Sequence, residues 1–141
     1  MILEGPRVRL EPVGAEHHER LLAIEEEILG ALEIPYRVVN IAAHDLGNSA
    51  AKKYDLEAWL PGQERYRELT SCSNTTAYQA RRLEIRHRPE EGASPRHVHT
   101  LNGTAVAIGR TIIAIAENHQ DADGTVRVPE VLRPYGAPTE I

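Results

Sequence analysis

The chain has 141 residues and a mass of 15.7 kDa, the size of one domain, with 41% hydrophobic and 26% charged residues, ordinary for a globular protein. Its formal net charge of −5 and isoelectric point of about 5.8 argue against holding nucleic acid or an anionic membrane through bulk charge, leaving only a local basic patch for that role. A transmembrane helix is not expected, because no apolar run reaches about 18 residues. The lone Cys72 rules out an internal disulfide and suits a cytosolic protein. Aromatic residues make up only 4% of the chain and Phe is absent, so the core must come from Leu, Ile, Val and Ala.

The opening MILEGPRVRLEP has no apolar region of the kind a secretory signal needs, and Val8, Leu10 and Val13 predict one strand. Ala15 to Leu32 predicts a helix. Leu21, Ile24, Ile28 and Leu32, with Leu22 and Leu29, recur near the helical period, while Glu25, Glu26 and Glu27 mark a solvated face and His17 and His18 a solvated start. Ile34-Pro35 ends it. Tyr36 to Ala42 predicts a β-branched strand, and 44–53 a loop. Tyr54 to Leu60 alternates, with Tyr54, Leu56, Ala58 and Leu60 on one face and Asp55, Glu57 and Trp59 on the other. Pro61-Gly62 turns the chain and Tyr66 to Ser73 returns it as an antiparallel hairpin. A helical turn over 75–82, a strand over 83–88, a loop over 89–96 and a short strand over 97–101 follow. Thr104 to Gln120 is apolar nearly all round and predicts a buried helix; Val126 to Pro134 closes the chain. The mixture indicates an α+β fold with an antiparallel sheet.

Arg110 stands out inside the last helix, since a buried guanidinium needs a partner. Either it forms a structural ion pair with Asp55, Glu57 or Glu68, or it serves an anion or nucleotide site. The stretch Glu68 to Asn74 (ELTSCSN) is polar for a strand, and reads as an exposed edge or as a cleft wall of hydroxyl and carboxylate groups able to hold a metal or an amine. His97 and His99 share strand spacing, but two histidines without a third ligand argue weakly for zinc. Cys72 lacks a histidine near in sequence that would activate it as a nucleophile. No Walker A or GxGxxG motif occurs.

The strings YRVVNIAAHDLGNSAAKKYDLEAWLPGQERYRELTSCSN, QARRLEIRHR, VHTLNGTAVAIGRTIIAIAENHQDADG and VPEVLRPY, in this order, resemble the C-terminal part of seryl-tRNA synthetases, from about Glu16 to Pro138. The resemblance implies a partial class II synthetase antiparallel sheet flanked by helices, with 1–14 a divergent N-terminal segment and 15–141 the C-terminal half of the catalytic domain, including motif 3. It implies serine activation by ATP with Mg²⁺, then transfer to tRNA(Ser), in the cytoplasm. Arg110 matches the motif 3 arginine that packs over adenine and reaches the phosphates. Glu68, Leu69, Thr70 and Ser71 match an ATP-contacting stretch, with Glu68 and Ser71 as its metal ligands. Thr104 matches a serine-contacting position, and Asn102 supports that pocket.

Several family features have no counterpart in these residues: motif 1, the Thr-Ala-Glu stretch that grips the serine amine, the arginine-bearing first strand of motif 2, the adenine-stacking Phe and the coiled-coil arm that reads tRNA(Ser). Within the match, Ala77, His44 and His119 replace an expected Asp, Gly and Tyr. VRLEPV resembles a degraded second strand of motif 2, with Arg9 or Glu11 at the serine-binding place. ILEGPRVRLEPV also resembles the opening strand of GNAT-type acetyltransferases, with nothing later to support it. The expectation is therefore a serine–tRNA ligase family chain that is incomplete or inactive alone. The alternatives are a non-catalytic binding module and a truncated paralogue without activity. A homodimer, or association with a full-length synthetase, is the expected assembly, and a membrane is not a partner.

Overall fold

A computed structural model describes Leu3–Glu4, Arg9–Leu10 and residues 14–141. The elements run β1 (Leu3–Glu4), β2 (Arg9–Leu10), α1 (Ala15–Ala31), β3 (Tyr36–Asn40), β4 (Lys52–Leu60), β5 (Arg65–Asn74), α2 (Tyr78–Leu83), β6 (Arg86–His87), β7 (Arg96–His97), β8 (Leu101–Gly103) and α3 (Ile108–His119), with 3₁₀ turns at Pro61–Gln63 and Glu130–Tyr135. An antiparallel sheet in the order β3-β4-β5-β8 carries the fold, and β1–β2 and β6–β7 form separate two-stranded ribbons. This is the expected α+β architecture. The single strand predicted near Val8, Leu10 and Val13 is instead the β1–β2 pair at its described positions; Val8, Glu11 and Val13 lie outside the described residues.

The sheet has two unlike faces because side chains alternate along each strand. Tyr54, Leu56, Ala58 and Leu60 point one way, joined from β5 by Cys72 and Thr70, their register partners or close neighbours of those. Helices α1 and α3 cover this face. Leu22, Leu29 and Leu32 from the first, Ala114 from the second and Leu56, Ala58, Leu60, Leu69 and Cys72 from the sheet make one core cluster. A bulge between Leu56 and Glu57 leaves Leu69 opposite no partner and turns it into that core.

The helix reading of 15–32 is right in extent and for most of its apolar stripe: Leu22, Leu29 and Leu32 are buried and Leu21 and Ile28 pack against the core, while Ile24 and the polar positions depart from it. The buried stripe is His18, Leu22, Glu25 and Leu29, and Ile24 is 51% exposed. His18 is not solvated: Nε2 donates to the Cys72 carbonyl at 3.2 Å, and its ring lies 5.2 Å from that of Tyr54. Nor is Glu25, which is 1% exposed with neither carboxylate oxygen in a well-formed hydrogen bond. Helix and sheet meet closely here. A Cβ on Gly103 would lie 2.7 Å from Leu21 Cδ2 and 3.1 Å from Glu25 Oε1, so a larger residue there would displace the ends of these α1 side chains.

Two further expectations change. The strand over 83–88 shrinks to Arg86–His87, because α2 runs to Leu83 and closes through a left-handed Glu84 with φ 54°. His97 to Leu101 divides between β7 and β8. Helix α3 begins at Ile108 rather than Thr104 and is not buried all round: Ile108, Ile112 and Ile113 are exposed, while Thr111, Ala114 and His119 face inward. His119 Nε2 donates to the Leu32 carbonyl at 2.9 Å and ties the ends of the two helices together.

Burial raises the Glu25 carboxyl above its ordinary 4.5; the nearby Thr70 hydroxyl and Thr104 amide oppose this and the Asp55 charge adds to it. The folded state then holds a proton that the unfolded state has lost above about pH 4.5, so stability falls as pH rises through the folded value. Glu25→Gln, neutral throughout, should melt above the native chain by a margin that widens from pH 5 to pH 8, reaching a few degrees, since about 1 kcal/mol moves a domain of this size by roughly 2–8 °C. Parallel melting curves against pH would show that Glu25 is not the group concerned.

Candidate functional site

The face of the sheet turned away from the helices is charged. Lys53, Asp55 and Glu57 project from β4, and the register sets Ser73 against Lys53, Ser71 against Asp55 and Glu68 against Glu57. Asn102, opposite Ser73, extends the same face onto β8. Lys53 Nζ lies 2.7 Å from Asp55 Oδ1 and 3.3 Å from Glu68 Oε1. Arg37 from β3 pairs with Glu57 at 2.6 Å and stands 4.3 Å from the centre of the Tyr66 ring. Burial raises the Asp55 carboxyl; the Lys53 hydrogen bond opposes this, and the Glu68 and Glu57 charges add to the rise. Burial tends to lower the Lys53 ammonium, but Asp55 and Glu68 outweigh it and its pKa is raised.

Strand β5 pairs with β4 along its length but with β8 only from Cys72 to Asn74. Farther along, its second edge is met by single groups. Thr104 N donates to the Ser71 carbonyl at 3.1 Å, and the Thr70 hydroxyl donates back to the Thr104 carbonyl. Arg110 Nη1 donates to the Glu68 carbonyl at 2.9 Å. Beside these lies a groove of about 450 Å³ with Glu57, Tyr66, Arg67, Glu68, Arg110 and Ile113 in its wall.

Arg110 is thus exposed rather than buried, and its partner is a main-chain carbonyl rather than Asp55, Glu57 or a Glu68 carboxylate. The late start of α3 causes this. With Ile108 first in the helix, Arg110 falls in its first turn, where the helix dipole disfavours a cation. Helix electrostatics alone therefore gives no reason for an arginine at this position.

The fold brings Glu68, Ser71 and Asn102 onto one face, with Thr104 and Arg110 at its edge. It takes the side chains of Leu69 and Thr70 away, each 3% exposed on the helix side, and leaves their main chain at the edge. Arg9 is described as strand backbone only, and Glu11 lies outside the described residues. Cys72 is fully buried, and burial, with the Glu25, Glu19 and Asp55 charges, pushes its thiol up to about 12, unfit for a nucleophile. No three His, Cys, Asp or Glu side chains among the described residues converge on a metal position, and His97 instead lies 3.8 Å from Glu84. Sequence reasoning missed Lys53, assigned to the preceding loop, and Arg37. The alternation of β4 already put Asp55 and Glu57 together; carrying it two residues back finds Lys53.

Residues 14–119 match the tRNA synthetase class II core domain (G, H, P, S and T), and the chain belongs to this family. Within the family its relatives are serine–tRNA ligases. That of Rubrobacter xylanophilus is 63% identical over 120 residues, which is 85% of this chain and 28% of the relative. That of Pyrococcus abyssi is 59% identical over 126 residues, 89% of this chain and 28% of the relative. The chain thus spans less than a third of the relatives' length. The crystal structure of seryl-tRNA synthetase from Pyrococcus horikoshii complexed with ATP superposes with a TM-score of 0.87 at 58% identity, covering 89% of this chain and 28% of that one. A cytoplasmic serine–tRNA ligase of Naegleria fowleri in complex with AMP gives 0.80 at 48%, covering 89% and 30%.

Arg110 holds an exposed carbonyl rather than a core, so Arg110→Ala should cost about 1 kcal/mol of folding stability or less in urea denaturation. A loss above about 2 kcal/mol would make its role structural.

Proposed function

We propose that this chain supplies one wall of an adenylate-forming site, acting in the activation of serine by ATP and its transfer to tRNA(Ser) in the cytoplasm. The observation that carries the reading is the gathering of Glu68, Ser71, Asn102, Thr104 and Arg110 along one strand edge of a fold like that of an ATP-complexed synthetase. In the reaction, a serine carboxylate oxygen attacks the α-phosphorus of ATP in line, the bond to the bridging oxygen breaks, and pyrophosphate leaves. The 3′-terminal hydroxyl of the tRNA then attacks the seryl carbonyl and releases AMP.

Arg110 is suited to the nucleotide. Its planar guanidinium stacks on a base and donates to phosphate oxygens, and the single bond to Glu68 orients it at little cost. The main chain of Leu69 and Thr70 lines the edge where the adenosine would run. Thr104 and Asn102 border the space for serine, whose side-chain hydroxyl needs a polar wall. The donors fit Mg²⁺. Glu68 and Ser71 offer hard oxygens, and this ion is usually held by one or two carboxylates with the remaining positions filled by water and substrate phosphate, so a third protein ligand is not required. Bound there, Mg²⁺ would screen the phosphate charge that otherwise repels the attacking carboxylate.

A second reading, an association module, is favoured by α3. Its Ile108, Ile112 and Ile113 are 71%, 61% and 48% exposed, an apolar surface suited to a homodimer partner or to a fuller synthetase. No helix among the described residues is long and apolar enough to cross a membrane.

Isothermal titration should find ATP binding by the chain, weakened about tenfold or more by Arg110→Ala, the scale of a charged hydrogen bond. The same 141 residues should give no serine-dependent ATP–pyrophosphate exchange above background, because no arginine-bearing first strand of motif 2 occurs in them. Robust exchange would contradict this. Absence of ATP binding alongside a stable dimer would favour the second reading.

A further inference from the structure

We propose that Lys53 is a built-in counter-cation of the candidate metal position, held by Asp55 and released from Glu68 when a divalent cation arrives with the nucleotide. This rests on the reading of Glu68 as a metal ligand. Lys53 stands opposite Ser73 in the ladder, yet its ammonium does not stay there. It reaches along the open face past the Asp55–Ser71 pair to lie 2.7 Å from Asp55 Oδ1 and 3.3 Å from Glu68 Oε1. The charge therefore sits among the groups that would ligate the metal.

Its two bonds are unequal. Asp55 is 7% exposed, and its Oδ1 accepts no hydrogen bond besides this ion pair, so losing Lys53 would strand a buried charge. Glu68 has a side chain 42% exposed and the longer contact, and water can replace the ammonium there. An arriving cation would break the second bond and leave the first. The charges then explain what Lys53 accomplishes. Two carboxylates and one ammonium leave a single negative charge, which attracts a bare dication poorly. A dication accompanied by polyphosphate brings its own balance. Lys53 thereby keeps the position closed to free metal and open to the metal–nucleotide pair.

The test is Mn²⁺ binding to the full chain without nucleotide, followed by electron paramagnetic resonance at fixed ionic strength. Lys53→Met should bind Mn²⁺ on the order of tenfold more tightly or better, by removal of a like charge a few ångströms away. Lys53→Arg, which keeps the charge, should bind as weakly as the native chain. Where the Met variant fails to fold, Lys53→Gln, which can still donate a hydrogen bond to Asp55 but carries no charge, should show the same tightening. Glu68→Gln in either background should abolish it. Equal or weaker binding in the variants that remove the Lys53 charge, with Glu68→Gln still abolishing binding, overturns the proposal and leaves Glu68 as a ligand. Mn²⁺ binding indifferent to Glu68→Gln, or none in any variant, overturns both.

Discussion

Strands β4 and β5 pair over nine positions, and what each of their faces carries follows from that pairing. Because side chains alternate, Leu56, Ala58 and Leu60 can be buried by α1 and α3 only if Lys53, Asp55 and Glu57 turn to the other side. Burying the apolar half thus creates the charged half. The bulge at Leu69 adjusts the arrangement. It drops one more apolar side chain into the core and shifts β5, so that Glu68 faces Glu57, two residues beyond Asp55 on the charged face.

The partial pairing of β5 has a second consequence. A ladder that stops at Cys72 leaves carbonyls on the far edge, and each unsatisfied carbonyl calls for a donor. Thr104 and Arg110 supply two of them, which fixes a loop and a helix start beside the charged face. The residues that resemble a nucleotide and serine site are held in place by the hydrogen-bond needs of a strand edge. The two helices beneath are locked in turn by histidines on main-chain carbonyls, His18 at Cys72 and His119 at Leu32.

Much of this was legible in the sequence. The hairpin of 54–73 was, because alternation and a Pro-Gly turn are local signals. So was the family, from long strings such as YRELTSCSN and LNGTAVAIGR. What stayed hidden depends on partners distant in sequence. Glu25 reads as one of three solvated glutamates; the approach of Gly103 on β8 and of Thr70 and Thr104 makes it buried. Arg110 reads as buried because the apolar run beginning at Thr104 looks continuous, and nothing local reveals that residues 104–107 serve the strand edge instead of the helix. Leu69 and Thr70 read as site side chains, whereas plain alternation turns Thr70 inward opposite Leu56 and the bulge turns Leu69 inward beside it. Lys53 was lost to a loop boundary drawn two residues too late, since β4 begins at Lys52.

The central claim is that the sheet face opposite the helices receives the nucleotide. The most direct test is a ¹⁵N-resolved NMR titration of the chain with ATP and Mg²⁺. The amides of Glu68 to Ser71, Asn102 to Thr104 and Arg110 should shift together, with α1 unmoved. Shifts centred on α1 or on the exposed side of α3, or none at saturating ATP, would contradict the account.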